Sequence, residues 1–511
     1  MLVHEILEHS AGRLPGKIAL REGETALTYA ETLARARALA AALQARGVRP
    51  GDRVALLLPN CLEFCLAYFA ALAAGAVAVP LNTRLAPQEF TYIVNDARPA
   101  VLIVGHDLWE AYLGFKDGLE APPLLIYAGD QPREGALDFA ALSAPGPAPS
   151  PPEGLALDSP ACIMYTSGTT GLPKGAVMSH RNVFVNARNC GAHLGYKESD
   201  VTLVVVPLFH VTGLNSQLVA MFYAGGACSI LRAYNTAAMI ERIAAHRVTV
   251  TFKVPTMYTL MLASPALAGW DLSAWRLAAY GGAPMDPATI AALQKSLGVD
   301  LYNAYGLTET SSLATVLPAC DALRKAGSVG LPVSGVRLRV VDESGQDLPA
   351  DAPGELWIKG ANVVGQYWNK PEATAASLGG GWLRTGDIAR IDAEGFVYIA
   401  DRKKDMICRG GENVYSIEVE TALLAHPDVL EAAVVPRPHS IFQEVVHAFC
   451  VLKPGAAADE DAIIAHCRRL IADFKAPASV SFVEALPRNP GGKVLKKLLR
   501  QQVPPGDPPR R

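Results

Sequence analysis

The chain has 511 residues, more than one hydrophobic core usually supports, so two or more domains are expected. Half of the residues are hydrophobic, the formal net charge is only -3, and neither end carries a block of like charge. That balance argues against a nucleic-acid partner and favours small-molecule chemistry.

The first residues, MLVHEILEHS, place Glu5 and Glu8 where a secretory signal would be apolar, so export is not expected. The nine cysteines are scattered without a CxxC pair or Cys/His ligand spacing, and they read as reduced core residues of a cytoplasmic protein. Residues 25 to 45 carry alanines and leucines at helical spacing, stopped by Gly47. Arg53 to Pro59 then reads as a buried strand, Leu62 to Ala74 as a helix and Ala76 to Val79 as a strand, the α/β signature. The uncharged run from Phe64 to Pro80 contains Gly75 and ends in proline, which suits helix plus strand better than a membrane span. Prolines crowd positions 145 to 152, as in a surface linker.

Tyr165 to Lys174, YTSGTTGLPK, is the most informative stretch. Apolar runs flank it on both sides, so it joins two strands, and no helix dipole is expected to hold its anion. Backbone N–H groups freed by Gly168 and Gly171, the hydroxyls of Thr166, Ser167, Thr169 and Thr170, and the charge of Lys174 make a phosphate grip. It is not a Walker A loop, because Gly175 follows the lysine and the glycines are too close together. A polar hairpin rich in Ser and Thr is the plainer reading of such composition.

Val248 to Val254 alternates as a strand with Val248, Val250, Phe252 and Val254 on one face and Lys253 on the other. Glu309 follows the apolar run Val299 to Tyr302 and stands just past a strand end, where doubly wound sheets bind ligands. Near a phosphate grip, a carboxylate there serves as a magnesium ligand; alone, such a residue is more often a solvated acid. WLRTGD closes with Asp387 in a turn, and its two acceptor oxygens suit a ribose cis-diol or, more plainly, its own backbone. A hairpin is expected at Asp392 to Gly395, and a charged cluster at Asp401 to Asp405 precedes the glycine pair Gly410-Gly411. A compact pattern of helix, strand, strand, helix follows, so a boundary is placed at Lys404, and the proline-rich end 501–511 is expected to be disordered. Lys493 follows a proline- and glycine-rich turn that could swing it into a distant site.

In this order, YTSGTTGLPKG, AYGLTE, WLRTGD, DRKKDMICRGGENV and PRNPGGK resemble the successive core motifs of the adenylate-forming superfamily, which includes acyl-CoA synthetases, aryl-CoA ligases, luciferases and peptide-synthetase adenylation domains. The resemblance runs from about Leu27 to Arg500. It implies an α/β fold. On that resemblance, a large N-terminal domain, residues 1–403, is expected to have two α/β sheet layers and a β-barrel-like part, and a small mobile α+β domain to span 404–500. It further implies that ATP and a carboxylic acid give an acyl-adenylate and pyrophosphate, after which CoA displaces AMP.

Carried over by position, Thr166 to Lys174 hold the β- and γ-phosphates, and Gly281, Gly282, Ala283, Pro284 and Tyr305 wall the adenine. Thr308 touches the α-phosphate, Glu309 binds Mg2+, and Asp387 and Arg402 hold the ribose. Lys493 is the catalytic lysine, Lys404 the hinge, and Gly410 and Gly411 line the pantetheine tunnel. His210 gates the acid site, where amino-acid adenylation domains carry an aspartate, and Val211, Phe252, Val254, Gly281, Ala304 and Gly306 line the pocket. A medium or long fatty acid is favoured through the loop Asp321 to Ser328, and an aryl acid is open. The aryl-CoA ligase lysines at the positions of Cys408 and Gly410 are absent, although Arg409 could substitute. The alternatives are an acyl-AMP ligase that loads a carrier protein in trans, a dicarboxylate ligase using Lys253, and a non-catalytic nucleotide-binding module. The oligomeric state is open, a homodimer being one option.

Overall fold

Thr28 caps the helix Tyr29–Ala45: its hydroxyl accepts from Glu31 N at 3.2 Å, and the Glu31 carboxylate accepts from Thr28 N at 2.8 Å. The helix therefore starts later than its composition suggests, because residues 25 to 28 pair as a strand with Ile18–Glu22. The computed structural model describes residues 1–166, 172–410, 412–488 and 494–504. They fall into two units, Met1–Arg337 with Ile358–Leu383, and Leu338–Trp357 with Arg384–Arg511.

The first unit holds two large sheets. In one, the parallel strands Val201–Val204, Val250–Lys253, Leu277–Gly281 and Asp300–Tyr305 lie side by side. Antiparallel Thr315–Leu317 and Leu331–Pro332 extend that edge. In the other sheet, Arg53–Leu57, Val77–Pro80 and Val101–Gly105 run parallel, and Pro160–Thr166 and Lys174–Ser179 form an antiparallel pair beside Val77–Pro80. The expected strand-to-strand setting of the phosphate loop is thus present. Gln366–Tyr367 completes that edge against Lys174–Ser179.

The run Phe64 to Pro80 is the helix Leu62–Ala73 followed by the strand Val77–Pro80, and among the described residues no helix is long and apolar enough to cross a membrane. Both faces of Val250–Lys253 are covered, and all four residues are buried, as in a parallel strand with helices on each side. Simple alternation therefore understates the burial of Lys253.

A four-stranded sheet, most of whose residues belong to the second unit, has the order Arg337–Val341, Gly354–Lys359, Leu383–Ile391, Val397–Arg402. Asp392 to Gly395 is the expected hairpin turn between the last two strands. The C-terminal part opens with a hairpin, Ile407–Arg409 and Glu412–Val414, that its composition did not announce. Then come the helix Ser416–Leu424, the paired strands Val429–His439 and Gln443–Leu452, and the helix Glu460–Leu470. Ile407, Val419, Leu423, Val434, Val446 and Ile463 pack into a core of this part's own.

Candidate active site

The base of the phosphate loop is locked from three directions. Thr166 pairs with Lys174 across the two strands, and its hydroxyl donates to the Lys174 carbonyl at 3.4 Å. Tyr165 donates its hydroxyl to Asp96 at 2.6 Å, on the helix Pro87–Ala97. Trp368 N donates to the Gly175 carbonyl at 2.7 Å, and the Trp368 indole donates to the Asp96 carbonyl at 3.1 Å. The grip residues Ser167, Gly168, Thr169, Thr170 and Gly171 lie outside the described residues.

Glu309 sits in the single helical turn Thr308–Thr310, directly after the strand Asp300–Tyr305, as its sequence setting suggests. Thr308 and Glu309 are half-buried. Tyr367 donates its hydroxyl to Glu309 Oε1 at 2.7 Å, and the Lys174 ammonium stands 5.6 Å from the centre of the Tyr367 ring. Burial and the neighbouring carboxylate raise the Tyr367 pKa, so the phenol remains a donor. Val364 N holds the Glu309 carbonyl at 2.8 Å, and buried Asn362 donates to the carbonyls of Thr310 and Leu313 at 3.1 and 2.6 Å. Phosphate loop and acid thus meet through residues 362 to 368.

Gly306 must be glycine: a Cβ there would lie 1.5 Å from the Ser312 carbonyl oxygen, because the chain folds back on itself between them. Gly281 pairs with Ala304 on the neighbouring strand, and its Cβ would lie 2.4 Å from the Ala304 carbonyl oxygen and 3.4 Å from the Phe252 ring. Phe252, Gly281 and Ala304 are therefore neighbours. Val254 stands beside Gly282, and Gly282, Ala283 and Pro284 are exposed past the strand end, with Tyr305 and Gly306 half-buried.

Val211 is buried and His210 half-buried where the chain enters the helical segment Thr212–Val219. Desolvation lowers the His210 pKa to about 4, and its Nδ1 accepts from Thr212 N at 3.3 Å, so the ring is neutral at pH 7. Lys253 points to the other face of its strand. There its ammonium lies 4.4 Å from the ring centres of both Tyr258 and Trp275, is 1% exposed, and among the described residues has no carboxylate partner. Desolvation lowers its pKa to about 7.

In the second unit, Asp387 is not in a turn. It lies within the strand Leu383–Ile391, directly opposite Arg402 on Val397–Arg402, and is almost fully buried. The Arg402 guanidinium approaches its carboxylate at 3.3 Å. The turn reading failed because Gly386, in left-handed conformation, bends the strand without ending it. Lys404 is exposed and its carbonyl accepts from Arg500 at 3.0 Å. Gly410 is exposed, and its N–H donates to the Phe442 carbonyl at 2.8 Å. Arg409 lies over the Phe442 ring at 4.7 Å and donates to the Phe474 carbonyl. Gly411 and Lys493 lie outside the described residues.

The sequence reading missed Asp96, Asn362 and Tyr367, whose partners are distant in the chain, so no local motif marks them. What the described residues assemble is a half-buried carboxylate just past a strand end, tied through Tyr367 to the lysine at the base of the loop, with Phe252, Gly281 and Ala304 packed together on neighbouring strands.

The AMP-binding enzyme family model matches residues 7–368, and the AMP-binding enzyme C-terminal domain matches 418–493. The chain is 38% identical over 491 residues to a feruloyl-CoA synthase of an Amycolatopsis species, covering 96% of each. It is 36% identical over 482 residues to the long-chain-fatty-acid–CoA ligase FadD13 of Mycobacterium tuberculosis, covering 93% of each. The structure of an anthranilate CoA ligase, AuaEII, in complex with anthranoyl-AMP superimposes with a TM-score of 0.93 at 30% identity, over 98% of this chain and 97% of that one. Both the strand-end architecture and these full-length likenesses place the chain in the AMP-binding enzyme family of the adenylate-forming superfamily, as an AMP-forming acyl-CoA synthetase that uses ATP and CoA.

Proposed function

We propose that the chain activates a carboxylic acid with an apolar tail, a medium or long fatty acid before an aryl acid, and passes the acyl group to CoA. The observation that carries this reading is that Phe252, Gly281 and Ala304, uncharged residues expected to line the acid pocket, are neighbours on adjacent strands, and that His210 is neutral. Lys253, the group that could have paired a second carboxylate, is enclosed by Tyr258 and Trp275 on the opposite face, so a dicarboxylic acid is disfavoured.

In the first half-reaction a carboxylate oxygen attacks the α-phosphorus of ATP, the bond to the β-phosphate oxygen breaks, and pyrophosphate leaves held by residues 166 to 174. Thr308 and Lys493 stabilise charge on the α-phosphate, which is the main task of such sites. The donor chemistry of Glu309 fits magnesium: a hard carboxylate whose Oε1 is fixed by Tyr367 and whose Oε2 has no partner among the described residues. A bound magnesium ion there would neutralise phosphate oxygens. Asp387 and Arg402 hold the ribose, and the adenine lies against Gly281 to Pro284 and Tyr305.

In the second half-reaction the CoA sulfur attacks the acyl carbon and AMP departs. The domain beginning at Lys404 rotates so that Lys493 withdraws and Gly410-Gly411 face the pantetheine arm. Arg409, held against Phe442 and Phe474, stands where the usual lysines are missing. A cytoplasmic setting accords with nine free cysteines.

A panel of fatty, aryl and dicarboxylic acids, scored by pyrophosphate release and then by thioester yield with CoA or a phosphopantetheinylated carrier, tests this reading. CoA thioesters from fatty or aryl acids support it. Adenylates that transfer only to the carrier would replace it with the carrier-loading reading.

A further inference from the structure

Directly after Glu309, Ser311 and Ser312 have φ of 55° and 121°, a region that residues with a Cβ rarely occupy. Two such residues in succession persist only when their surroundings hold them. Both are buried, and the surroundings are specific. Asn215 Nδ2 donates to the Ser311 carbonyl at 3.0 Å, and Ser216 Oγ donates to Ser312 Oγ at 2.7 Å. Leu313 N, just beyond, donates to Asn186 Oδ1 at 3.0 Å.

Asn215 and Ser216 belong to the segment Thr212–Val219, which is wound as a π-helix, a rare form found often at functional sites. That segment hangs from His210, whose carbonyl accepts from Leu214 N at 3.0 Å. Asn215 Nδ2 also lies 3.4 Å from the sulfur of Met178, on the strand that leaves the phosphate loop. One buried amide thus touches the loop's exit strand, the π-helix behind the acid gate and the turn that carries Glu309.

We propose that Asn215 and Ser216 are positioning residues for Glu309. By clamping the left-handed pair Ser311-Ser312 they fix the direction of the Glu309 carboxylate, and through the same helix they tie the His210 end of the acid cleft to the phosphate end. The proposal rests on Glu309 as the magnesium ligand, and its test separates the two.

The test reads the magnesium concentration that half-saturates adenylation, by pyrophosphate release, in Asn215→Leu, Ser216→Ala, Glu309→Gln and the double variant Ser216→Ala/Ser312→Gly. Loss of either clamp raises that concentration about fivefold or more, the size expected for one buried hydrogen bond. Glycine at 312 tolerates the positive φ, so the double variant recovers most of the loss seen in Ser216→Ala. Slower turnover with unchanged magnesium dependence, or no recovery in the double variant, overturns the proposal while leaving Glu309 in its role. An unchanged magnesium dependence in Glu309→Gln overturns the reading of Glu309, and the proposal with it. Ser216→Ala removes one oxygen atom, so it carries the test if Asn215→Leu does not fold.

Discussion

Tyr367 binds Glu309 through its hydroxyl at 2.7 Å, although the two residues lie 58 positions apart. The same ring lies 5.6 Å from the Lys174 ammonium, and Tyr367 pairs with Ala176 on the strand leaving the phosphate loop. A single side chain therefore sets the spacing between the proposed magnesium ligand and the base of the phosphate grip.

Tyr367→Phe keeps the ring and its strand pairing but leaves Glu309 free to rotate. Hydrogen bonds to charged groups contribute about 1.5–3 kcal/mol, so adenylation should slow by roughly 10- to 100-fold. Pyrophosphate release measures the rate and the melting temperature controls for folding. An unchanged rate would show that Glu309 is oriented without this bond.

Lys493→Ala should remove charge stabilisation at the α-phosphate and lower adenylation by about 10²-fold or more. Thioester formation from supplied acyl-adenylate should largely persist, since the proposed rotation withdraws the lysine before that step. Equal loss of both steps in rapid-quench assays would sink the rotating-lysine mechanism.

Lys253→Met should stabilise the protein at neutral pH, because a buried lysine with two aromatic neighbours and no carboxylate among the described residues is costly to keep charged. The unfolded chain keeps that proton up to the ordinary lysine value of 10.5, whereas the native state releases it near pH 7. Between these values the unfolded state binds more protons, so stability of the unsubstituted protein rises with pH. The advantage of Lys253→Met should therefore be full below about pH 7 and shrink by about 1.4 kcal/mol per unit above it. Denaturant titrations of both proteins from about pH 6 to about pH 9 measure this; an advantage independent of pH would place the lysine in contact with water.

Local pattern was enough for several features. The apolar runs on both sides of the phosphate loop required strands, and they pair as Pro160–Thr166 with Lys174–Ser179. The apolar run before Glu309 required a strand that ends just ahead of it, and the hairpin at Asp392 to Gly395 followed from its turn residues. Asp387 misled because Gly386 looks the same in a turn as in a bent strand, and only pairing with Arg402 distinguishes them.

The amino-acid order thus carried the chemistry class: hydroxyls, glycines, a lysine and spaced carboxylates in sequential motifs, each readable because its geometry is set by neighbours a few residues away. Which groups hold those motifs in register was left to the folded chain. Tyr367 reaches Glu309, Asn215 reaches Ser311 and Lys253 enters its aromatic cage through contacts between different strands and helices. Such contacts depend on sheet order and on both faces being covered, and neither has a local period in the sequence.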